Sequence, residues 1–175
     1  HSLALKHHEL GKLPYYTASY SIITEKSASA LFASFCRVGG KEGWFQGNWM
    51  WWLRGMVDRL LLGVGSQRGR RSDASLKIND VIDFWRVEDI RKNQRLLLRA
   101  EMKLPGRGWL EFMIMPQDDG KNKLSITAYY DTDTLAGMLY WYIFLPVHNI
   151  IFNCMIKQIE KRSLYSDRSE RQEDL

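Results

Sequence analysis

Alternation of apolar and polar side chains marks the chain at Tyr15–Thr24 and again after residue 74, and it predicts β-strands. In the first segment Tyr16, Ala18, Tyr20 and Ile22 share one side. Short turns separate the later segments, so neighbouring strands are predicted to be antiparallel. The later predicted strands are Ser75–Ile78, Val81–Ile90, Arg95–Lys103, Trp109–Met115 and Leu124–Asp131.

Three segments have the spacing and the boundary signals of helices. Ser27 is the predicted cap of the first and Asn48 of the second, because both are good N-cap residues. The third is apolar nearly all round and contains Pro146, which should kink it. The predicted bounds are 27–37, 48–62 and 135–159. One strand, two short helices, an antiparallel meander and a long C-terminal helix predict an α+β fold.

The last segment is the one candidate for a membrane span. From Leu135 to Met155 it has no Asp, Glu, Lys or Arg, and about 20 such residues can cross a bilayer. Against a span stand Pro146, the polar His148 and Asn149, and a sheet whose apolar face needs cover. We therefore expect a core helix laid across the sheet and no membrane association. Its second side would be covered by a partner domain, a second subunit or the Trp-rich segment from Trp44 to Trp52.

The strand faces depend on how the hairpin at Pro105-Gly106 is paired, and more than one register is possible. If Lys103 opposes Trp109, one face is wholly apolar, with Leu98, Ala100, Met102, Leu110, Phe112 and Ile114. The opposite face then carries Arg99, Glu101, Lys103, Trp109 and Glu111. The simpler interpretation is a solvated outer face with weak ion pairs. The alternative is a polar wall against a cavity or a partner domain, with Trp85 and Trp109 as its flat surface.

Composition indicates a single-domain protein without a nucleic-acid surface. The 175 residues fit one domain, and a net charge of +5 with interleaved acidic residues argues against a nucleic-acid surface. The basic run at Arg68–Arg71 is either solvated or a phosphate contact. With only Cys36 and Cys154, we expect a reduced, cytoplasmic protein.

Candidate chemistry is sparse. His148 is the only histidine outside the first thirteen residues, and a lone histidine on an apolar helix is usually a core residue. The run His7-His8-Glu9 has no further metal ligands near it in sequence, so a metal site there is not expected. The glycines from Gly63 to Gly69 follow a helix and not a strand, so they do not predict a dinucleotide site. We expect no catalytic residues and no metal.

Several motifs resemble one family. They are Gly43-Trp44, Asn48-Trp49, Trp52-x-Arg54-Gly55-x-x-Asp58, Gly65-x-x-Arg68-Gly-Arg-Arg71, Asp83-Phe-Trp-Arg-Val-Glu88 and Ala100-Glu-Met-Lys-Leu-Pro105. They resemble an uncharacterised bacterial family within the START and polyketide-cyclase superfamily. The resemblance implies a helix-grip fold, in which a curved antiparallel sheet wraps a long C-terminal helix around an apolar cavity. It also implies a preceding domain like the short-chain dehydrogenases, described as a nucleoside-diphosphate-sugar epimerase, which would hold any NAD(P).

The expected organisation is a tether at 1–13, a helix-grip domain at 14–163 and a charged disordered tail at 164–175, within a longer protein. No cofactor is expected in this domain. The leading hypothesis is non-catalytic binding of a small, largely apolar molecule between the sheet and the last helix. The predicted ligand contacts are Trp44, Trp49, Trp52, Trp85, Tyr140 and His148, with Arg54, Arg70, Glu101 and Lys103 as orienting polar groups. The alternative is a ligand-free interaction domain that docks on its neighbour or forms a homodimer.

Overall fold

The structure, a computed structural model, describes residues 16–37, 77–82, 85–100 and 106–173. In these ranges one six-stranded antiparallel sheet, ordered β1-β6-β5-β4-β3-β2, packs against two helices. The α+β fold predicted from the sequence is confirmed, with a curved sheet and a long C-terminal helix. The elements are β1 Tyr16–Thr24, α1 Ala28–Cys36, β2 Val81–Ile82, β3 Trp85–Arg91, β4 Arg95–Ala100, β5 Arg107–Pro116, β6 Asn122–Asp131 and α2 Leu135–Glu173.

Local sequence explains where these elements begin and end. The Ser27 hydroxyl accepts a hydrogen bond from the Ala30 amide at 3.2 Å, which makes it the N-cap of α1 as predicted. Asn93, in the turn between β3 and β4, has a φ of 59°, a left-handed conformation that Asn tolerates better than most residues. Gly120 has a φ of 77° in the turn between β5 and β6.

Both helices pack on one face of the sheet, which carries the main core. Leu31 and Phe35 of α1 are fully buried there, and the Ser34 hydroxyl donates to the Ile159 carbonyl of α2 at 2.7 Å. The four β1 residues predicted to share a side, from Tyr16 to Ile22, all pack against this core. The sheet and the two helices thus form the two layers that an amphipathic sheet requires.

The predicted register of β4 and β5 is wrong. Trp109 pairs with Arg99, and Leu98 pairs with Leu110, so the strands are displaced by four residues from the arrangement that set Trp109 opposite Lys103. An even displacement keeps every side chain on its own face. The predicted apolar face therefore survives, with Leu98, Leu110, Phe112 and Ile114 in the core. The hydrophobic pattern could not distinguish registers that differ by an even number.

Three further predictions agree with the structure only in part. Of the predicted strand at 75–78, Lys77 and Ile78 are described and lie outside the strands, at the turn before β2. Helix α2 continues ten residues into the predicted disordered tail, to Glu173, since adding a turn to an existing helix is far easier than starting one. The helix also continues past Pro146, where the kink stays a prediction. The predicted helix at 48–62 and the tether at 1–13 lie outside the described residues.

Candidate functional site

Three of the ten predicted ligand contacts are described, namely Trp85, Tyr140 and His148. All three lie on the core side of the sheet. The other seven, Trp44, Trp49, Trp52, Arg54, Arg70, Glu101 and Lys103, lie outside the described residues.

His148 projects from α2 between two aromatic rings. Its imidazole stacks on Phe152 with ring centroids 5.4 Å apart and planes within 9°, and it lies 5.6 Å from the Trp141 ring. These positions follow from the helix, because residues four and seven apart share a face. The Nδ1 atom is buried and has no hydrogen-bond partner in the described part of the chain. Burial lowers the pKa of His148 to about 4, so the ring is neutral near pH 7.

Further aromatic rings extend this contact along the seam between α2 and strands β1 and β6. Tyr130 of β6 stacks on Trp141 at 5.7 Å with planes within 7°, and it contacts Tyr140 at 5.7 Å. Tyr20 of β1 contacts Phe152 at 5.5 Å. We call the set the aromatic seam; its members are Tyr16, Tyr20, Tyr130, Tyr140, Trp141, His148 and Phe152.

Burial keeps His148 and three tyrosines of the aromatic seam uncharged near neutral pH. Burial, with a smaller contribution from Tyr130, raises the pKa of Tyr140 to about 12. Burial also raises the pKa values of Tyr130 and Tyr20. Their hydroxyls stay protonated and His148 stays neutral, so the seam offers polar atoms without formal charge.

The structure joins Tyr140 and His148 through Trp141 but sets Trp85 apart. Trp85 packs against the main core from β3, which is three strands from β6 and thus about 14 Å away along the sheet. Sequence reasoning missed Trp141 and Tyr130. Trp141 is seven residues before His148 on the same helix, a spacing that could have identified it.

The opposite face of the sheet holds a buried charge network instead of the solvated surface expected there. Arg95 donates from Nε to Glu111 at 2.7 Å and from Nη1 to Asp89 at 2.7 Å, and the Tyr129 hydroxyl donates to Glu111 at 2.8 Å. Arg95 is 1% exposed and Glu111 is 2% exposed. The expectation of a solvated outer face is therefore wrong for the described residues.

Trp109 lies in the same buried layer. It is 2% exposed, packs with Leu97 and Tyr129, and donates from Nε1 to Glu88 at 2.8 Å. Trp85 lies on the core side, so Trp85 and Trp109 do not form one flat surface, contrary to the second interpretation of this face. Alternating side chains show which residues share a face, but they do not show what covers it. For that reason, the sequence could not predict that this face of the sheet is buried.

Comparison with known families decides the affiliation. Residues 12–155 match the family described as "Protein of unknown function (DUF2867)". The chain belongs to this family. No curated protein gives a significant match.

Solved structures of other proteins share the fold of this DUF2867 chain. Truncated norcoclaurine synthase from Thalictrum flavum has a TM-score of 0.50 at 9% identity, over 83% of this chain and 91% of that one. Hypothetical protein jhp0584 from Helicobacter pylori has a TM-score of 0.50 at 11% identity, over 85% and 88% of the two chains. The neighbours place the DUF2867 domain among the helix-grip folds.

The described part of the DUF2867 chain holds no group of three or more His, Cys, Asp or Glu side chains arranged for a metal ion. Within the same residues, Leu135–Ser163 has the length and composition of a membrane span. That is weak evidence, because core helices of soluble proteins have the same composition. The inner side of this helix contacts the sheet through Trp141 and Phe152.

Proposed function

We propose that this domain binds a small, largely apolar molecule between the sheet and α2, without catalysing a reaction on it. The observation that carries the proposal is the buried Nδ1 of His148, which has no hydrogen-bond partner among the described residues and lies in an otherwise aromatic seam. Buried polar atoms are nearly always hydrogen-bonded, so an exception calls for an explanation. A bound molecule that hydrogen-bonds Nδ1 supplies one.

The energetics favour a ligand with aromatic or apolar bulk and one polar group. An unpartnered buried nitrogen costs about 1–3 kcal/mol, which a ligand hydroxyl would recover. The buried rings of Trp141, Phe152 and Tyr130 stack with one another and with His148, so the surroundings of Nδ1 are aromatic and apolar. Such a combination of apolar lining and few polar groups is typical of small-molecule sites.

The protonation state of His148 favours binding over acid–base catalysis. A general base works best with a pKa near the working pH. Burial holds the pKa of His148 at about 4, which makes it a weak base at pH 7. We therefore assign it the role of orienting the bound molecule.

The context of the domain is also a proposal. From the resemblance of its motifs, we propose that it is an accessory domain in a cytoplasmic protein whose preceding domain binds NAD(P) and resembles epimerases or oxidoreductases. The helix-grip fold is compatible with work on small organic molecules, since one protein that shares it is named norcoclaurine synthase. Trp44, Trp49, Trp52, Arg54 and the other predicted contacts outside the described residues remain candidates for the same site.

Two probes that differ in one hydroxyl test the proposal. 2-Naphthol and naphthalene are both neutral and flat, and only the first can hydrogen-bond Nδ1. We expect 2-naphthol to bind the purified protein about 5- to 10-fold more tightly, as one net hydrogen bond of about 1 kcal/mol implies. The difference should vanish in His148→Phe and persist in Cys154→Ser, an exposed position on the same helix.

Native mass spectrometry of protein purified from cells gives an independent readout, because a retained molecule appears as added mass. Failure of both probes to bind, together with an empty protein in the mass spectrum, would refute the proposal. Binding that His148→Phe leaves unchanged for both probes would refute the role of His148.

A further inference from the structure

The outward side of α2 exposes an apolar stripe over its first four turns. Its large side chains are exposed by 72% at Leu135, 40% at Met138, 54% at Leu139, 61% at Tyr142, 65% at Ile143 and 68% at Ile150. We call these six residues the α2 stripe. Their spacing of three, four and seven places them on one side of the helix, opposite the side that packs on the sheet.

The α2 stripe is at the upper end of the size of apolar patches that monomers expose. At these exposed fractions the six side chains present on the order of 600 Å² of apolar area, and patches of this size on a monomer often mark interaction sites. The stripe extends about 22 Å along the helix, at 1.5 Å per residue from Leu135 to Ile150. It has no charged residue within that length.

We infer that the α2 stripe is the interface with a second copy of this chain, with the two helices antiparallel. Pairing two stripes would remove about 1,200 Å² from solvent, the lower end of the range for stable interfaces. Tyr142 and Ile143 lie midway between Leu135 and Ile150. A twofold axis near these two residues therefore packs the stripe of one copy along the same stripe of the other. This inference does not depend on the ligand proposed above.

The charges at the ends of the α2 stripe favour the antiparallel arrangement. Exposed Asp133 precedes the helix, and exposed Lys157 and Lys161 follow the stripe on its own side of the helix. Antiparallel pairing directs the basic end of each copy toward the acidic end of the other. Parallel pairing would bring like charges together at both ends.

A lipid surface fits the same stripe less well. Exposed Asn149 lies beside Ile150, and exposed Asn153 extends the same side of the helix, where the Asn153 amide donates to the Asn149 carbonyl at 2.8 Å. The opposite side of α2 packs on the sheet, so the helix cannot be surrounded by lipid without leaving the domain. The basic residues are confined to one end, whereas interfacial helices usually carry them along the polar face.

Sedimentation velocity of the purified 175-residue protein, from about 1 to 100 μM, tests the inference. We expect a monomer–dimer equilibrium, with dimer predominant at the highest concentration. Ile143→Glu at the centre of the stripe should weaken dimerisation at least 100-fold, because it sets two carboxylates in an apolar contact. The matched control is Ile23→Glu, which changes an isoleucine that is 52% exposed on β1, and it should leave dimerisation unchanged.

A charge reversal tests the direction of the helices. Lys157→Glu and Asp133→Lys should each weaken the dimer, and the double variant should recover at least part of the loss if the two residues face each other. Circular dichroism shows whether each variant is folded. A wild-type protein that stays monomeric at 100 μM, or a dimer insensitive to Ile143→Glu, would overturn the inference. Monomeric protein that instead sediments with phosphatidylcholine–phosphatidylglycerol vesicles, and loses this with Ile143→Glu, would assign the stripe to a lipid surface.

Discussion

Acid should destabilise this domain through His148, by an amount that the structure allows us to work out. Burial lowers the pKa of this side chain from its ordinary 6.5 to about 4 in the folded state. Between these two values the unfolded chain binds a proton that the folded chain does not. Stability therefore rises with pH across this window, and it falls as the pH drops below 6.5.

The size of the loss follows from the two pKa values. At pH 4.5 the linkage amounts to about 2.5 kcal/mol of unfolding free energy relative to pH 7, and it levels off below pH 4. This is a large share of the stability of an average domain, which is about 5–15 kcal/mol.

His148→Phe isolates this contribution from that of other acidic groups. Phenylalanine retains a ring between Trp141 and Phe152 and has no nitrogen to protonate. We expect the variant to be at least as stable as the wild type at pH 7, because it removes an unpartnered buried nitrogen. Between pH 7 and pH 4.5, the unfolding free energy of the variant should fall by about 2.5 kcal/mol less than that of the wild type.

Urea unfolding at one protein concentration, followed by circular dichroism at pH 7.0, 6.0, 5.0 and 4.5, measures the difference. NMR titration of the histidine ring protons provides a direct check, with the His148 signals identified by their loss in His148→Phe. Parallel pH curves for the two proteins would refute the reasoning. A folded-state titration midpoint near 6.5 would show that the ring is solvated, which would also remove the main support for the ligand site.

Two other substitutions test the packing. Ser27→Ala should lower the unfolding free energy by about 1 kcal/mol, because the Ala30 amide loses its capping acceptor, and a stability equal to wild type would contradict that assignment. Arg95→Met should cost about 3–5 kcal/mol, since it removes the buried cation that Glu111 and Asp89 share, while Asp89 keeps its pair with the partly exposed Arg91 at 3.3 Å. Arg107→Met is its control, because the Arg107–Asp131 pair is 63% exposed on the arginine side and contributes within about 1 kcal/mol. Urea unfolding that gives equal losses for the two arginines would contradict the buried network.

The periodic pattern of the sequence predicted more of the fold than of the candidate site. Ser27 and the alternation from Tyr16 to Ile22 were sufficient to predict α1 and the inward face of β1. The pairing of Trp109 was not predictable, because a shift of four residues leaves the same side chains on the same face. His148 was identified as a candidate, and its ring neighbours Trp141 and Phe152 lie on the same helix, but only tertiary packing brings Tyr130 of β6 against Trp141.

The sheet divides the described polar groups into two different environments. Its outer face buries the carboxylates of Glu111 and Asp89 against the guanidinium of Arg95, and the more exposed Arg91 also pairs with Asp89. Its inner face buries only neutral groups, since Tyr140 keeps its proton and His148 lacks one near pH 7. A charged ligand in the aromatic seam would have no counter-ion among these residues, and an uncompensated buried charge is strongly unfavourable. Burial, which makes His148 a weak base near pH 7, therefore also favours a neutral group of the proposed ligand beside the described residues of the aromatic seam.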